Sequence, residues 1–213
     1  MEKRERACAV YEILDKTYPH ACCSLNYGTV FELLVATILA AQCTDERVNI
    51  VTESLFERYK TLEDYALCPL EEMEEAVRPT GFFRNKAKNI ILSAQKIISD
   101  FGGEVPKTME ELLTLPGVGR KTANLILGDV YGVPSVVVDT HVKRITGKIG
   151  LTENREPEKI EADLRDILPE KYYTHFNHLV VFHGREICKA KNPLCEACPI
   201  SHLCDYFAEK QKN

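Results

Sequence analysis

The chain carries no excess of positive charge, no apolar run long enough to cross a bilayer and no convincing strand pattern, and each absence removes a class of function. Lysine and arginine number 27 against 32 aspartates and glutamates, for a net charge of −5. Taken as a total, that balance argues against a polyanionic partner. The longest apolar stretch, Leu33 to Ala41 with only Thr37 interrupting it, falls far short of the ~20 residues a membrane helix needs. It fits a buried helix, and no membrane association is expected. The first residues, Met1-Glu-Lys-Arg-Glu-Arg6, are charged and no apolar core follows them, so a secretory signal is not expected and a reducing compartment is. Internal repeats and low-complexity segments are missing too, and only Glu209 to Asn213 reads as a frayed tail.

What is present is helical. The 213 residues, 45% of them hydrophobic, suit one large or two small domains with an ample core. Apolar residues recur at three and four rather than at two. Ala7, Val10, Tyr11, Leu14 and Tyr18 make one stripe, Val48, Val51, Leu55 and Tyr59 another, and Ala87, Ile90, Ile91, Ala94, Ile97, Ile98 and Phe101 the clearest. Gly102-Gly103 ends that last helix, Thr108 with Glu111 forms a capping box for the next, and Pro157 sits just inside a further start. Ser135 to Val138 has strand composition but no partner run, so it reads as a buried connector. The fold class is all-α.

Charge is distributed unevenly. Thr61 to Val77 holds six acids and no base, Arg78 to Ile98 five bases and no acid, and Thr140 to Gly150 only the bases Lys143, Arg144 and Lys148. Such separation leaves one face attractive to phosphates while the total stays acidic, although solvated helix faces explain the same pattern.

Four cysteines, Cys188, Cys195, Cys198 and Cys204, stand in the pattern C-x6-C-x2-C-x5-C with Pro199 after the third. In a reducing compartment clustered thiols bind metal or do redox chemistry more often than they form bridges. Structural zinc usually draws on two separated C-x2-C pairs, and only one is present. Ferredoxin-type runs compress four cysteines into a short span beside a proline, so iron–sulfur fits better than zinc. His183 and His202 flank the cluster and read as ordinary helix or loop residues, since four thiolates already complete a site. Cys8, Cys22, Cys23, Cys43 and Cys68 show no ligand spacing and read as small buried apolar residues.

From Thr108 to Val130 a short helix must stop at Pro116 and a second restart after Gly119, leaving Gly117-Val118-Gly119 as a tight turn. Unpaired N–H groups and the positive end of the helix dipole at that restart can hold a phosphate. Neither a Walker loop nor a dinucleotide fingerprint is met. A helix–hairpin–helix remains, a module that grips a nucleic-acid backbone without reading bases. Lys121 lies in the first turn of the second helix beside Arg120, where neighbouring positive charge and the helix dipole disfavour an ammonium. A neutral amine there is a nucleophile able to form a Schiff base, while phosphate gripping is the plainer alternative. Eighteen residues on, Asp139 occupies an N-cap position before the basic helix Thr140-His-Val-Lys-Arg-Ile-Thr146. N-cap aspartates are usually structural; this carboxylate can also stabilise developing positive charge.

Taken together, the cysteine spacing, Leu-Pro-Gly-Val-Gly-Arg-Lys-Thr-Ala-Asn124, Val-Asp-Thr-His-Val142 and Ile38-Leu-Ala-Ala-Gln-Cys-Thr-Asp45 resemble the endonuclease III family, essentially end to end. The resemblance implies a bifunctional DNA glycosylase and abasic-site lyase acting on oxidised pyrimidines in duplex DNA. It implies the helix–hairpin–helix DNA glycosylase fold, with two helical domains flanking a DNA groove. One would be a six-helix domain over residues 23–133 with its hairpin at 108–130; the other would join 1–22 to 134–213 and hold a [4Fe-4S] cluster on Cys188, Cys195, Cys198 and Cys204. By matching motif, Lys121 becomes the nucleophile and Asp139 its assistant. Gln42 matches the family's inserted glutamine and Phe82 falls where members place a wedge, although a core aromatic is nearly as good a reading. Gly117, Gly119, Arg120, Thr122 and His141 complete the expected DNA contacts, and Lys189, Lys191 and Arg185 fit a phosphate-facing cluster loop. A monomer working in a prokaryotic cytoplasm at the nucleoid is the expected setting.

Two readings compete. Monofunctional adenine- or thymine-mismatch glycosylases share the hairpin, the aspartate and the cluster but generally lack a lysine matching Lys121. The adenine enzymes also carry a further C-terminal domain, whereas nine residues follow Cys204 here. A non-catalytic DNA-binding redox sensor would give Lys121 and Asp139 no joint purpose.

Overall fold

A computed structural model describes residues 1–212, so Asn213, the end of the expected frayed tail, lies outside the described residues. Among the described residues the regular structure is helical and no strand occurs. The α-helices are α1 (Lys3–Thr17), α2 (Val30–Leu39), α3 (Asp45–Arg58), α4 (Leu62–Ala66), α5 (Leu70–Val77), α6 (Phe83–Phe101), α7 (Met109–Leu112), α8 (Arg120–Asp129), α9 (Thr140–Ile149), α10 (Pro157–Ile167), α11 (Tyr173–Glu186) and α12 (Asp205–Lys210). A 3-10 turn, Arg78–Thr80, precedes α6, and two more, Cys195–Ala197 and Ser201–Leu203, lie in the cysteine-rich segment.

The chain folds as two units, one continuous (Cys23–Gly132) and one discontinuous (Met1–Cys22 with Val133–Asn213). In the continuous unit α6 packs against α4 and α5, and α2 against α3, α6 and α8. Seven helical segments lie there, where the resemblance implies six helices; α4 and α7 are single turns. Helix α2 is apolar nearly all round and buries Phe31, Leu33, Leu34, Val35, Ala36, Ile38 and Leu39, as a helix at the centre of a core should. Among the described residues no helix is long and apolar enough to cross a membrane. In the discontinuous unit α1 packs on α10 and α11, and α9 on α11 and α12. The stripe Ala7, Val10 and Leu14 is fully buried there. Ser135, Val136 and Val137 are buried without strand pairing.

Several local expectations change. Thr108 caps α7 through Glu111 N–H, but the Glu111 carboxylate takes the Thr108 hydroxyl at 2.8 Å. The reciprocal backbone bond of a full capping box is therefore replaced by a side-chain pair. Helix α7 stops at Leu112 rather than Pro116, and single turns closed by Thr114 N–H to Glu111 O and Leu115 N–H to Leu112 O carry the chain onward. Of the five cysteines expected to be buried only Cys68 is; Cys8, Cys23 and Cys43 are half-buried, and Cys22, in the irregular segment between α1 and α2, is exposed. Of the five bases between Arg78 and Ile98, Lys86 is buried, Lys96 pairs with Asp100 and Arg78 with Glu75, both at 2.6 Å. Arg84 and Lys88 are left to carry the basic face. The expected frayed tail is helical through Lys210.

Candidate functional site

In the continuous unit the hairpin turn is shaped by α6. Gly117 has φ +79°, and a β-carbon there would lie 2.7 Å from Asn89 Nδ2, so both backbone conformation and space require glycine. Ser93 Oγ donates to Pro116 O at 2.9 Å and fixes the same turn. Gly119 is extended, caps α8 with no side chain, and has open space around its α-carbon. The first N–H groups of α8 therefore end at an uncapped, accessible terminus, which suits an oxyanion. Arg120 and Lys121 are exposed in that first turn and Thr122 is half-buried, while Ala123, Ile126 and Leu127 anchor the opposite side in the core.

Gln42 and Phe82 lie in two turns of the same unit and share an unusual backbone: φ is +54° at Gln42 and +48° at Phe82. Apart from Asn192 no other non-glycine described residue has positive φ. Left-handed conformations at such residues cost energy and cluster at functional positions. Phe82 is 64% exposed, so the core-aromatic reading fails. Its neighbour Phe83 packs on the core instead, with Arg78 stacked over the ring at 4.9 Å.

In the discontinuous unit Asp139 is the N-cap of α9, its Oδ1 accepting the Val142 N–H at 2.8 Å. The cap aims the carboxylate and places it at the positive end of a helix. His141 is half-buried, with Nδ1 3.3 Å from Arg144 Nη2. It faces Gly184 of α11 so closely that no side chain would fit on that glycine. Arg144 Nη2 also donates to Cys188 O at 2.8 Å and so ties α9 to the cysteine-rich loop.

Cys188, Cys195, Cys198 and Cys204 line one pocket walled by Ile145, Ile149, Ile187, Leu194, Ile200 and Phe207. None of the nine cysteines is in a disulfide. Burial pushes the Cys198 thiol up to about 11 and raises Cys188 and Cys204 as well, with Lys148 and Arg144 pulling Cys188 partly back. As thiolates, four such groups in so apolar a pocket would need a compensating cation, which iron would supply. A tetrahedral zinc site would set each sulfur about 2.3 Å from one ion. Among the described residues no three such side chains converge on a single-ion position; the four thiols ring a pocket instead.

His183, which the sequence marked as an ordinary helix residue, is buried against this pocket. Its Nε2 lies 3.5 Å from Cys198 Sγ and its Nδ1 3.2 Å from Tyr18 Oη. Burial holds the ring down to about 4 and raises the Tyr18 hydroxyl to about 12, so the imidazole carries one proton. Were Cys198 a metal-bound thiolate it would only accept, and the tautomer pairing both nitrogens would have Nε2–H donating to sulfur and Nδ1 accepting from Tyr18. One turn's separation from Cys188 was the only signal in the sequence.

Residues 35–170 match the HhH-GPD superfamily base excision DNA repair protein family, and residues 188–204 match the iron-sulfur binding domain of endonuclease III. Endonuclease III of Synechocystis sp. is 52% identical over 203 residues, 95% of this chain and 93% of that protein. This chain belongs to the endonuclease III family. Endonuclease III of Bacillus subtilis is 45% identical over 196 residues, 92% of this chain and 90% of that protein. Among solved structures, a trapped endonuclease III–DNA covalent intermediate is similar at TM-score 0.94 and 40% identity, covering 99% of this chain and 100% of the other. A thermostable thymine-DNA glycosylase, 22% identical at TM-score 0.87 over 96% of this chain and 98% of its own, shares the fold. As an endonuclease III family member the protein is a bifunctional DNA glycosylase and abasic-site lyase of base excision repair. It binds DNA and carries a [4Fe-4S] cluster, and the matched segment contains all four clustered cysteines.

Proposed function

We propose that Lys121 is the nucleophile of this endonuclease III, that oxidised pyrimidines in duplex DNA are its preferred bases, and that abasic sites are cut by the same amine. The single observation behind the assignment is an exposed lysine in the first turn of α8, directly after an uncapped helix start that can hold a phosphate. The target nucleotide must leave the stack first. Gln42 fills the vacated space and Phe82 wedges the neighbouring step, while Gly117, Gly119, Arg120, Thr122 and His141 serve backbone contacts. The neutral amine attacks C1′, and the glycosidic electron pair leaves with the base, which takes up a proton. The amine then loses a proton, its lone pair forms the C1′=N bond of an iminium as the C1′–O4′ bond breaks, and O4′ takes up a proton to become a hydroxyl. Removal of a C2′ proton then expels the 3′ phosphate, and water releases the lysine. Asp139 offsets positive charge developing on the sugar.

Cys188, Cys195, Cys198 and Cys204 are proposed as the cluster ligands; the cluster, when bound, cross-links the loop that carries Lys189 and Lys191. Each of the two units acts as a domain of one monomer, working where the cell keeps its DNA.

The deciding experiment is borohydride trapping on abasic duplex DNA. The native chain should give a covalent adduct, and Lys121→Ala should give none while still binding the duplex; an adduct retained by Lys121→Ala rejects the assignment. Serine caps helices as well as aspartate does, so Asp139→Ser should keep the thermal midpoint and lose on the order of a hundredfold in base release.

A further inference from the structure

Carbonyls at helix C-termini lack intrahelical partners, and a buried one must find a donor elsewhere. Leu39 ends α2 and Thr80 ends the 3-10 turn before α6. Both carbonyls accept from the same atom, Lys86 Nζ, each at 2.8 Å. Lys86 is only 4% exposed, so its four-carbon stem runs through the core and its ammonium bridges two loops. Shortly after each of these carbonyls the chain passes through a left-handed residue, Gln42 after Leu39 and Phe82 after Thr80. Such conformations persist only where surrounding contacts over-determine them.

We infer that Lys86 is a positioning residue for nucleotide extrusion, holding the Gln42 turn and the Phe82 turn at a fixed mutual distance so that both enter the duplex together. The inference rests on the proposed reading of Gln42 and Phe82 as the residues that penetrate DNA. A lysine suits the task because one nitrogen offers three donors, and because a cation is favoured at the C-terminal end of α2. Burial pulls its amine below the ordinary lysine value, with the nearby Cys43 sulfur partly offsetting this. Asn89 and Ser93, three and seven residues further along the same face of α6, meet the hairpin at Gly117 and Pro116. One helix face thus sets three turns of the continuous unit, and Lys86 governs the two that carry the inserting side chains.

The test compares abasic duplex with abasic single strand, which needs no extrusion, by single-turnover borohydride trapping; 2-aminopurine beside the abasic site reports unstacking. Lys86→Met keeps the stem and removes the donors. Its duplex rate should fall on the order of a hundredfold, the effect of a small misplacement of reacting groups, with the 2-aminopurine signal lost and the single-strand rate unchanged. In a Gln42→Ala/Phe82→Ala background Lys86→Met should add no further loss. Equal losses on both substrates, no loss on duplex, or additive losses overturn the inference. If Gln42→Ala/Phe82→Ala itself keeps the native duplex rate, the insertion reading falls and this inference with it. If that variant is impaired and Lys86→Met is not, only the inference falls. Should Lys86→Met fail to fold, Lys86→Gln retains a donor for one carbonyl and is judged by the same criteria.

Discussion

The continuous unit and the cysteine-rich end of the discontinuous unit hold irregular backbone in different ways. In the first, the hairpin turn and the Gln42 and Phe82 turns rest on hydrogen bonds from one face of α6, a helix that also buries Ala87, Ile90, Ala94 and Ile97 fully. Precision there derives from a packed core. Between Cys188 and Cys204 the only regular elements are two 3-10 turns, and Ile200 and Leu203 are the buried apolar residues. That loop is too poor in apolar burial to order itself. Arg144 on the Cys188 carbonyl and His183 beside Cys198 support it, and the proposed thiolate–iron bonds would supply the rest of its order. A helix can present reactive groups without a cofactor; a short loop with four thiols and little core needs one.

The largest effect should come from removing that support. Cys198→Ser should lose the iron colour, and amide hydrogen exchange should show residues 188–204 unprotected while α2 to α8 stay protected. Loss of protection in α2 to α8 as well would erase the distinction between the two units. Next, Gly117→Ala tests the hairpin. Its φ of +79° and the 2.7 Å approach to Asn89 should cost at least about 1–3 kcal/mol, read from the urea midpoint, with the iron content untouched. An unchanged midpoint would mean that the turn is adaptable rather than set by α6. The smallest effect has the opposite sign. Tyr65 is 2% exposed, stacks edge-on with Phe31 at 5.1 Å, and its hydroxyl makes no hydrogen bond. Tyr65→Phe should therefore raise stability by about 1 kcal/mol, and a lowered urea midpoint would mean that the buried hydroxyl is not a net cost to this core.

Much was legible along the chain because the signals were local. Periodicity placed α1, α3 and α6, Gly102-Gly103 ended α6, Pro157 began α10, and Asp139 was marked as an N-cap, each matching the observed element. The thiol spacing announced a metal centre. Lys86 was misread as part of a basic face because charge runs say nothing about which side of a helix is buried. Phe82 stayed undecided between core and surface for the same reason, and only its exposure and left-handed backbone resolved it.

By itself the sequence determined the helices, their caps and the chemical identity of the reactive groups, since these depend on residues within a few positions of one another. Tertiary structure alone decided that Lys86 bridges two turns, that Asn89 and Ser93 shape the hairpin, and that His183 with Tyr18 backs a cluster cysteine. Those contacts join atoms remote in sequence, and their partners are backbone carbonyls or buried side-chain atoms that leave no pattern along the chain.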